Sequence, residues 1–204
     1  MHKEILNKKQ LEVFNIVEYF SQKGFYLTGG TALALHLGHR ESIDLDMFSY
    51  KEFKNEEILE GLQSLGYSQI ETVIDKLDEY TIFINSVKVT FLRYPFQVND
   101  IEKREKISIT SPLTIGAMKA YALGRRGKWK DYVDMYILLK EYMIEDIINE
   151  AKNIYGTLFS EKMFLQQLCY FKDIDYTEEV IWRIENPPSD KEIENFLTDI
   201  SISS

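Results

Sequence analysis

The sequence predicts an α+β fold: a sheet flanked by helices in the first half, then a half that is helical throughout. Three observations carry this. Short apolar or alternating runs punctuated by turn residues fill residues 25–93. From residue 111 onward every periodic run has helical spacing. No internal repeat or low-complexity segment interrupts either half, so the expected division is 1–110 for the α+β part and 111–204 for the helical part.

In chain order, Leu11, Phe14, Val17 and Phe20 set a helix over 8–22, closed by Gly24. "FYLT" (25–28) reads as a short buried strand, Gly29-Gly30 as a turn, and "TALALHL" (31–37) as a helix stopped by Gly38. "SIDLDMF" (42–48) alternates polar and apolar residues and reads as a strand. An amphipathic helix over 51–66 follows, then strands over 67–74, 79–84 and 87–93, the last two joined by a hairpin turn at Asn85-Ser86. Pro95 ends the strand run. Ser111 and Pro112 are an N-cap and first-turn pair for a helix over 111–126. Further helices are expected over 129–141, 144–155, 160–170, 177–185 and 189–200.

Hydrophobic residues are 45%, charged residues 28% and aromatics 13% of the 204 positions, enough to fill a core. A formal net charge of -9 argues against a protein that coats nucleic acid by its overall field, but leaves room for a local basic patch or a metal-dependent site for an anionic substrate. Cys169 is the single cysteine, so an intrachain disulfide is excluded, which fits a reducing cytoplasm. The start, "MHKEILNKKQ", lacks an apolar stretch and no run of 18 apolar residues occurs, so a cytoplasmic protein without a membrane span is expected.

The chemistry concentrates in residues 26–48. On a strand, Asp44 and Asp46 point the same way, about 6–7 Å apart at Cα. Mg²⁺ takes oxygen ligands and commonly uses one or two carboxylates beside substrate phosphates. Aspartate is depleted in strands, so two solvated aspartates in a short one are an uneconomical alternative. Gly29-Gly30, between a strand and a helix, permits close backbone approach to a ligand, and the helix start offers N–H groups to an anion, with the Thr31 hydroxyl alongside. The intervening helix returns the chain, so that glycine turn and aspartates form one site for a triphosphate and Mg²⁺.

The stretch "GGTALALHLGHRESIDLDMF" (29–48) resembles the signature of the nucleotidyltransferase AbiEii/AbiGii toxin family, a branch of the polymerase-β-like nucleotidyltransferases. Arg40 and Ser42 belong to the match. "AMKAYALGRRGKWKDYVDMYILL" (117–139) resembles the family's later motifs through Lys119, Asp131 and Asp134. The similarity spans about residues 20–140. It implies a polymerase-β-like core of mixed sheet and helices, with a C-terminal helical bundle as the other wall of a cleft. It also implies transfer of a nucleoside monophosphate from an NTP to an acceptor with release of pyrophosphate. Asp44 and Asp46 would bind Mg²⁺. Gly29, Gly30 and Thr31 would cradle phosphates, with Arg40, Ser42 and Arg126 as further nucleotide-binding residues. Lys119 would touch the triphosphate, and Asp131 would orient the acceptor or hold the lysine. A toxin role implies an RNA (tRNA) or protein acceptor and a separately encoded antitoxin.

One departure bears on activity. The superfamily's third carboxylate should fall within "SVKVTFLRYP" (86–95), where this chain has Thr90. A non-catalytic nucleotide-binding or interaction module on the same fold is therefore a second reading. A small-molecule modifier of the antibiotic-adenylating type is a third. Arg125, Arg126, Lys128 and Lys130 form a basic run that suits either a triphosphate or RNA patch or a solvated helix end. Asp131 and Asp134 lie on a helix apolar on more than one face, so they need cationic partners, of which Lys119 and Arg126 are the obvious ones. His36 and His39 lack further ligands at zinc spacing. Trp129 and Trp182 read as core residues, and Cys169 as a lone, inert cysteine on an apolar face.

Overall fold

The structure, a computed structural model, describes residues 1–123 and 125–203. Gly124, inside the helix expected over 111–126, and Ser204 lie outside the described residues. The chain forms two compact units, Met1–Ser111 and Pro112–Ser204.

The first unit opens with a single 3₁₀ turn at Lys3–Ile5 and helices α1 (Lys8–Val13) and α2 (Asn15–Ser21). Strand β1 (Tyr26–Thr28), helix α3 (Gly29–Leu37), strand β2 (Leu45–Ser49) and helix α4 (Asn55–Ser64) follow. Strands β3 (Glu71–Lys76), β4 (Glu79–Ile84), β5 (Val87–Arg93), β6 (Ile101–Arg104) and β7 (Ile107–Thr110) complete it. All seven strands form one sheet in the order β3-β4-β5-β2-β1-β7-β6. The sheet is mixed: β2 runs parallel to β5 and β1 parallel to β7, while the other neighbours are antiparallel.

Strand alternation divides this sheet into two chemically different faces. Leu45 and Met47 of β2, Val87, Val89 and Phe91 of β5, and Tyr80, Ile82 and Ile84 of β4 are buried. Phe91 meets Phe20 of α2 and Phe25 edge-on, at ring separations of 4.6 and 5.5 Å, which anchors α2 over this face. The intervening positions, Asp46 and Phe48 of β2 and Lys88, Thr90 and Leu92 of β5, are only partly covered. Burying one face thus fixes β2's register and delivers Asp46 to the other.

The second unit contains α5 (Pro112–Leu123), α6 (Trp129–Glu141), α7 (Ile144–Tyr155), a 3₁₀ turn at Gly156–Leu158, α8 (Glu161–Leu168) and α9 (Asp190–Ser203). Helix α5 packs against α6, α7 and α8. Gly116 lets Leu138 and Ile147 close on α5: a Cβ there would lie 3.3 and 3.5 Å from their side chains. Stacking of Tyr121 on Tyr155, with centroids 3.8 Å apart, adds to the α5–α7 seam.

Several elements differ from the sequence reading. The strand over 42–48 begins only at Leu45, so Asp44 precedes it and only Asp46 lies on the strand. The helix over 8–22 is two helices, bent at Phe14, where i→i−3 bonds from Phe14 N to Leu11 O and from Val17 N to Phe14 O tighten the turn. The strand over 67–74 begins only at Glu71. Strands β6 and β7 were not expected, because the charges of "EKREK" hide the apolar signal of an edge hairpin. The helix over 177–185 is absent. Val180, Ile181 and Ile184 disfavour helix there, and Asp175 accepts bonds from the Thr177 amide and hydroxyl, holding an extended start. Trp129 is buried as expected, whereas Trp182 is half-buried rather than a core residue, and Cys169 is exposed rather than on an apolar face.

His36, half-buried on α3, hydrogen-bonds through Nε2 to the Thr110 carbonyl at 2.9 Å, joining α3 to the end of β7. Burial pushes its imidazole below the ordinary value of 6.5, the Thr110 bond opposing this in part. A lowered folded value means that the unfolded chain binds the proton more readily. The stabilising contribution is therefore complete above about pH 6.5 and is lost as pH falls through the folded value. Urea midpoints should drop more between about pH 7 and about pH 5 in the native sequence than in His36→Gln, and equal drops would contradict this role.

Candidate functional site

In the first unit the glycine pair and the aspartates meet at the start of α3. Gly29 and Gly30 are the first residues of that helix rather than a preceding turn. Thr28, paired with Asp46 across β1 and β2, is the N-cap, but its side chain makes no capping bond. Its hydroxyl instead accepts from Thr110 Oγ1 at 2.9 Å. Gly29 has φ +73°, and a Cβ on it would lie 2.6 Å from Asp46 Oδ2. Only a glycine lets the helix start so near that carboxylate.

The neighbouring positions are supports. A Cβ on Gly30 would meet Arg40 Nη2 at 2.9 Å and Ser42 Oγ at 3.0 Å, so both side chains press against the glycine from one side. Arg40 is 2% exposed and donates from Nη1 to the Glu41 carbonyl at 2.8 Å. The Thr31 hydroxyl, also buried, donates to the Asp44 carbonyl, tying α3's first turn to the residue before β2. Gln10, buried on α1, donates to the Ser42 carbonyl at 2.7 Å and fixes the same loop from the other side. Gln10 had no sequence signal, since its partner lies 32 residues away.

Asp44 and Asp46 are each half-buried, flanking the buried Leu45 on the more open face. On β5 the register sets Thr90 directly beside Asp46, and Thr90 Oγ1 accepts a long bond, 3.4 Å, from Thr81 of β4. Two residues back on β5, Lys88 Nζ lies 3.1 Å from Asp44 Oδ2. Sequence reasoning singled out Thr90 but passed over Lys88, whose relation to Asp44 exists only once β2 and β5 pair in parallel. No cluster of three or more His, Cys, Asp or Glu side chains suited to a metal occurs among the described residues. Two oxygen-bearing, half-exposed carboxylates fit a hard divalent cation that shares its remaining ligands with phosphates and water. On the same sheet face, Tyr26 pairs with Phe48, and its buried hydroxyl has no hydrogen-bond partner among the described residues. Burial pushes this phenol well above its ordinary value, so it stays protonated.

In the second unit, Lys119 is buried on α5 and meets two carboxylates of α6: Asp131 Oδ1 at 2.6 Å and Asp134 Oδ2 at 2.7 Å. Arg126 Nε reaches the other Asp131 oxygen at 3.2 Å while its side chain is 57% exposed. The spacing of Asp131 and Asp134 along α6 puts both on the face toward α5, so one ammonium serves both. Of the basic run, Lys128 and Lys130 pair with Glu178, and Arg125 covers the Tyr121 ring at 3.5 Å.

A family model described as "Nucleotidyl transferase AbiEii toxin, Type IV TA system" matches residues 13–200. An uncharacterised protein of Aquifex aeolicus is 30% identical over 201 residues, covering 94% of each chain. Among solved structures, JHP933 from Helicobacter pylori aligns with a TM-score of 0.60 at 16% identity, over 97% of this chain and 92% of its own. MenT4, a nucleotidyltransferase toxin from Mycobacterium tuberculosis, aligns with a TM-score of 0.62 at 12% identity, over 95% and 81%. These structural likenesses show the fold: the nucleotidyltransferase mixed sheet with C-terminal helices.

Replacing Lys119 leaves Asp134, fully buried, and Asp131 facing each other without their shared cation. Lys119→Met should lower unfolding free energy by about 3–5 kcal/mol. Arg126→Met, at the exposed end of the network, should cost no more than about 1 kcal/mol. Denaturant unfolding of the two variants checks the contrast, and equal losses would contradict it.

Proposed function

The chain belongs to the nucleotidyl transferase AbiEii toxin family, and we propose that it transfers a nucleoside monophosphate from an NTP to an RNA (tRNA) or protein hydroxyl, using Mg²⁺ held by Asp44 and Asp46. The observation that carries this reading is the contact of Gly29 with Asp46, which puts a helix start and a carboxylate pair in one place. The start of α3 favours negative charge, and its glycines let the Asp46 carboxylate and the Arg40 and Ser42 side chains close on the backbone there. Mg²⁺, when bound, supplies Lewis-acid polarisation of phosphate oxygens and neutralises their charge.

The chain's own residues position rather than react. Gly29 and Gly30 receive the phosphates at the helix start. Arg40, Ser42, Thr31 and Gln10 hold the loop that presents Asp44. In the reaction the acceptor oxygen bonds to the α-phosphorus, the bond from α-phosphorus to the α,β-bridging oxygen breaks, pyrophosphate leaves, and the acceptor's proton passes to solvent. Preorganised charge carries the rate in such chemistry. Within the second unit, the family resemblance of their motif marks Lys119 and Asp131 as functional residues. The toxin description of the family also supports a cognate antitoxin as a partner. The pairing of Lys128 and Lys130 with Glu178 favours a small set of phosphate contacts over a broad RNA-coating surface.

Thr90 beside Asp46 favours a second reading, nucleotide binding without transfer. Incubation with each α-labelled NTP, Mg²⁺ and total cellular RNA and protein separates the two. Transfer predicts label on one macromolecular band, reduced at least about 100-fold in Asp44→Asn/Asp46→Asn. NTP binding by calorimetry without label in any band supports the binding module instead.

A further inference from the structure

Strand β5, which would supply a third acid for a pair of metal ions, carries a base and no acid. On the face shared with Asp44 and Asp46, β5 presents Lys88 and Thr90. Thr90 stands in the row of Asp46, and Lys88 Nζ lies 3.1 Å from Oδ2 of Asp44, the residue just before β2. The nearest acid on β4's corresponding face, Glu79, pairs with Leu92, in the row of Phe48. That places Glu79 two strands from β2, roughly 10 Å away in the sheet plane, and its carboxylate accepts from the Thr81 hydroxyl at 3.4 Å on β4 itself.

Two divalent cations about 3.5–4 Å apart repel strongly and need several carboxylates around them. Two carboxylates with an ammonium alongside offer much less. The charge balance favours another arrangement. Two aspartates, one lysine and one divalent cation leave a single net positive charge, the same as three carboxylates around two divalent cations. A second cation added beside Lys88 would triple that excess.

The Lys88–Asp44 pair is also poorly explained as a stabilising bridge. Its side chains are 39% and 38% exposed, and ion pairs so open to water are worth about 0–1 kcal/mol. An ammonium at that exposure can meet an arriving phosphate while staying near the carboxylate.

We propose that the donor site works with one divalent cation, and that Lys88 Nζ takes the charge position of a second one and binds the triphosphate directly. This rests on the donor-site reading of Asp44 and Asp46. It also removes the need for an acid at Thr90, because a site with one cation has no second ion for that acid to hold.

The test counts and separates metal ions without turnover. The intact protein is mixed with Mn²⁺ in excess and an α,β-methylene NTP analogue, and bound metal is measured by equilibrium dialysis and electron paramagnetic resonance. The proposal expects one Mn²⁺ per chain–nucleotide complex with an uncoupled spectrum. Lys88→Met should keep that count and weaken analogue binding roughly tenfold or more, while Lys88→Arg keeps most of the affinity. Circular dichroism establishes that each variant is folded. Two spin-coupled Mn²⁺ ions in the native sequence, or full affinity in Lys88→Met, would overturn the role of Lys88 and leave the donor site standing. Binding of neither Mn²⁺ nor analogue would overturn the donor-site reading as well.

Discussion

Gly29 sits at φ +73° with its Cα against the Asp46 carboxylate, where a Cβ would approach Oδ2 to 2.6 Å. This approach decides the geometry of the first unit's open face. The pairing of Thr28 with Asp46 brings the end of β1 beside β2, and the left-handed residue then turns the chain directly into α3. A helix start and a carboxylate thus share a location without a capping side chain between them. Because Thr28 turns its hydroxyl toward Thr110, the usual side-chain solution for a helix N-terminus is not used there. The buried supports Thr31, Arg40 and Gln10 all act on the short segment that leads into Asp44.

The second unit solves a different electrostatic problem. Three ionisable groups, Lys119, Asp131 and Asp134, lie almost wholly out of water between α5 and α6. Replacement of such a network by apolar residues of similar volume is often neutral or stabilising, so stability alone is a weak reason for its presence. A buried lysine facing two carboxylates is also a place where charge can be held in a fixed geometry. Arg126, bridging from Asp131 to the exposed side, connects that buried charge with the surface.

How legible these features were differs by the range of the interactions involved. The strand place of Asp46 and the backbone freedom of the Gly-Gly pair were visible because each depends on local pattern, whereas Asp44 lies just before β2 and both glycines open α3. The pairing of Asp131 and Asp134 with Lys119 followed from burial of a helix apolar on several sides. Lys88 and Gln10 were not visible, because strand register or a tertiary fold brings each to the site. Arg40, Ser42 and Thr31 were marked as nucleotide-binding residues by motif. The structure shows Arg40 and Thr31 buried, with Arg40 and Ser42 pressed against Gly30 and the Thr31 hydroxyl bonded to the backbone of Asp44. The β6–β7 hairpin was hidden by its charges, and the absent helix over 177–185 shows side-chain bonding at Asp175 prevailing over a weak helical pattern.

The most direct test of the shared helix start and carboxylate is calorimetric binding of an α,β-methylene NTP analogue, with and without Mg²⁺, to the native sequence and to Gly29→Ala. An added Cβ in the left-handed region costs about 1–2 kcal/mol and pushes on the Asp46 carboxylate. The account predicts binding that requires Mg²⁺ and weakens about tenfold or more in a folded Gly29→Ala protein. Binding of equal strength without Mg²⁺, undiminished by Gly29→Ala, would show that the nucleotide site lies elsewhere.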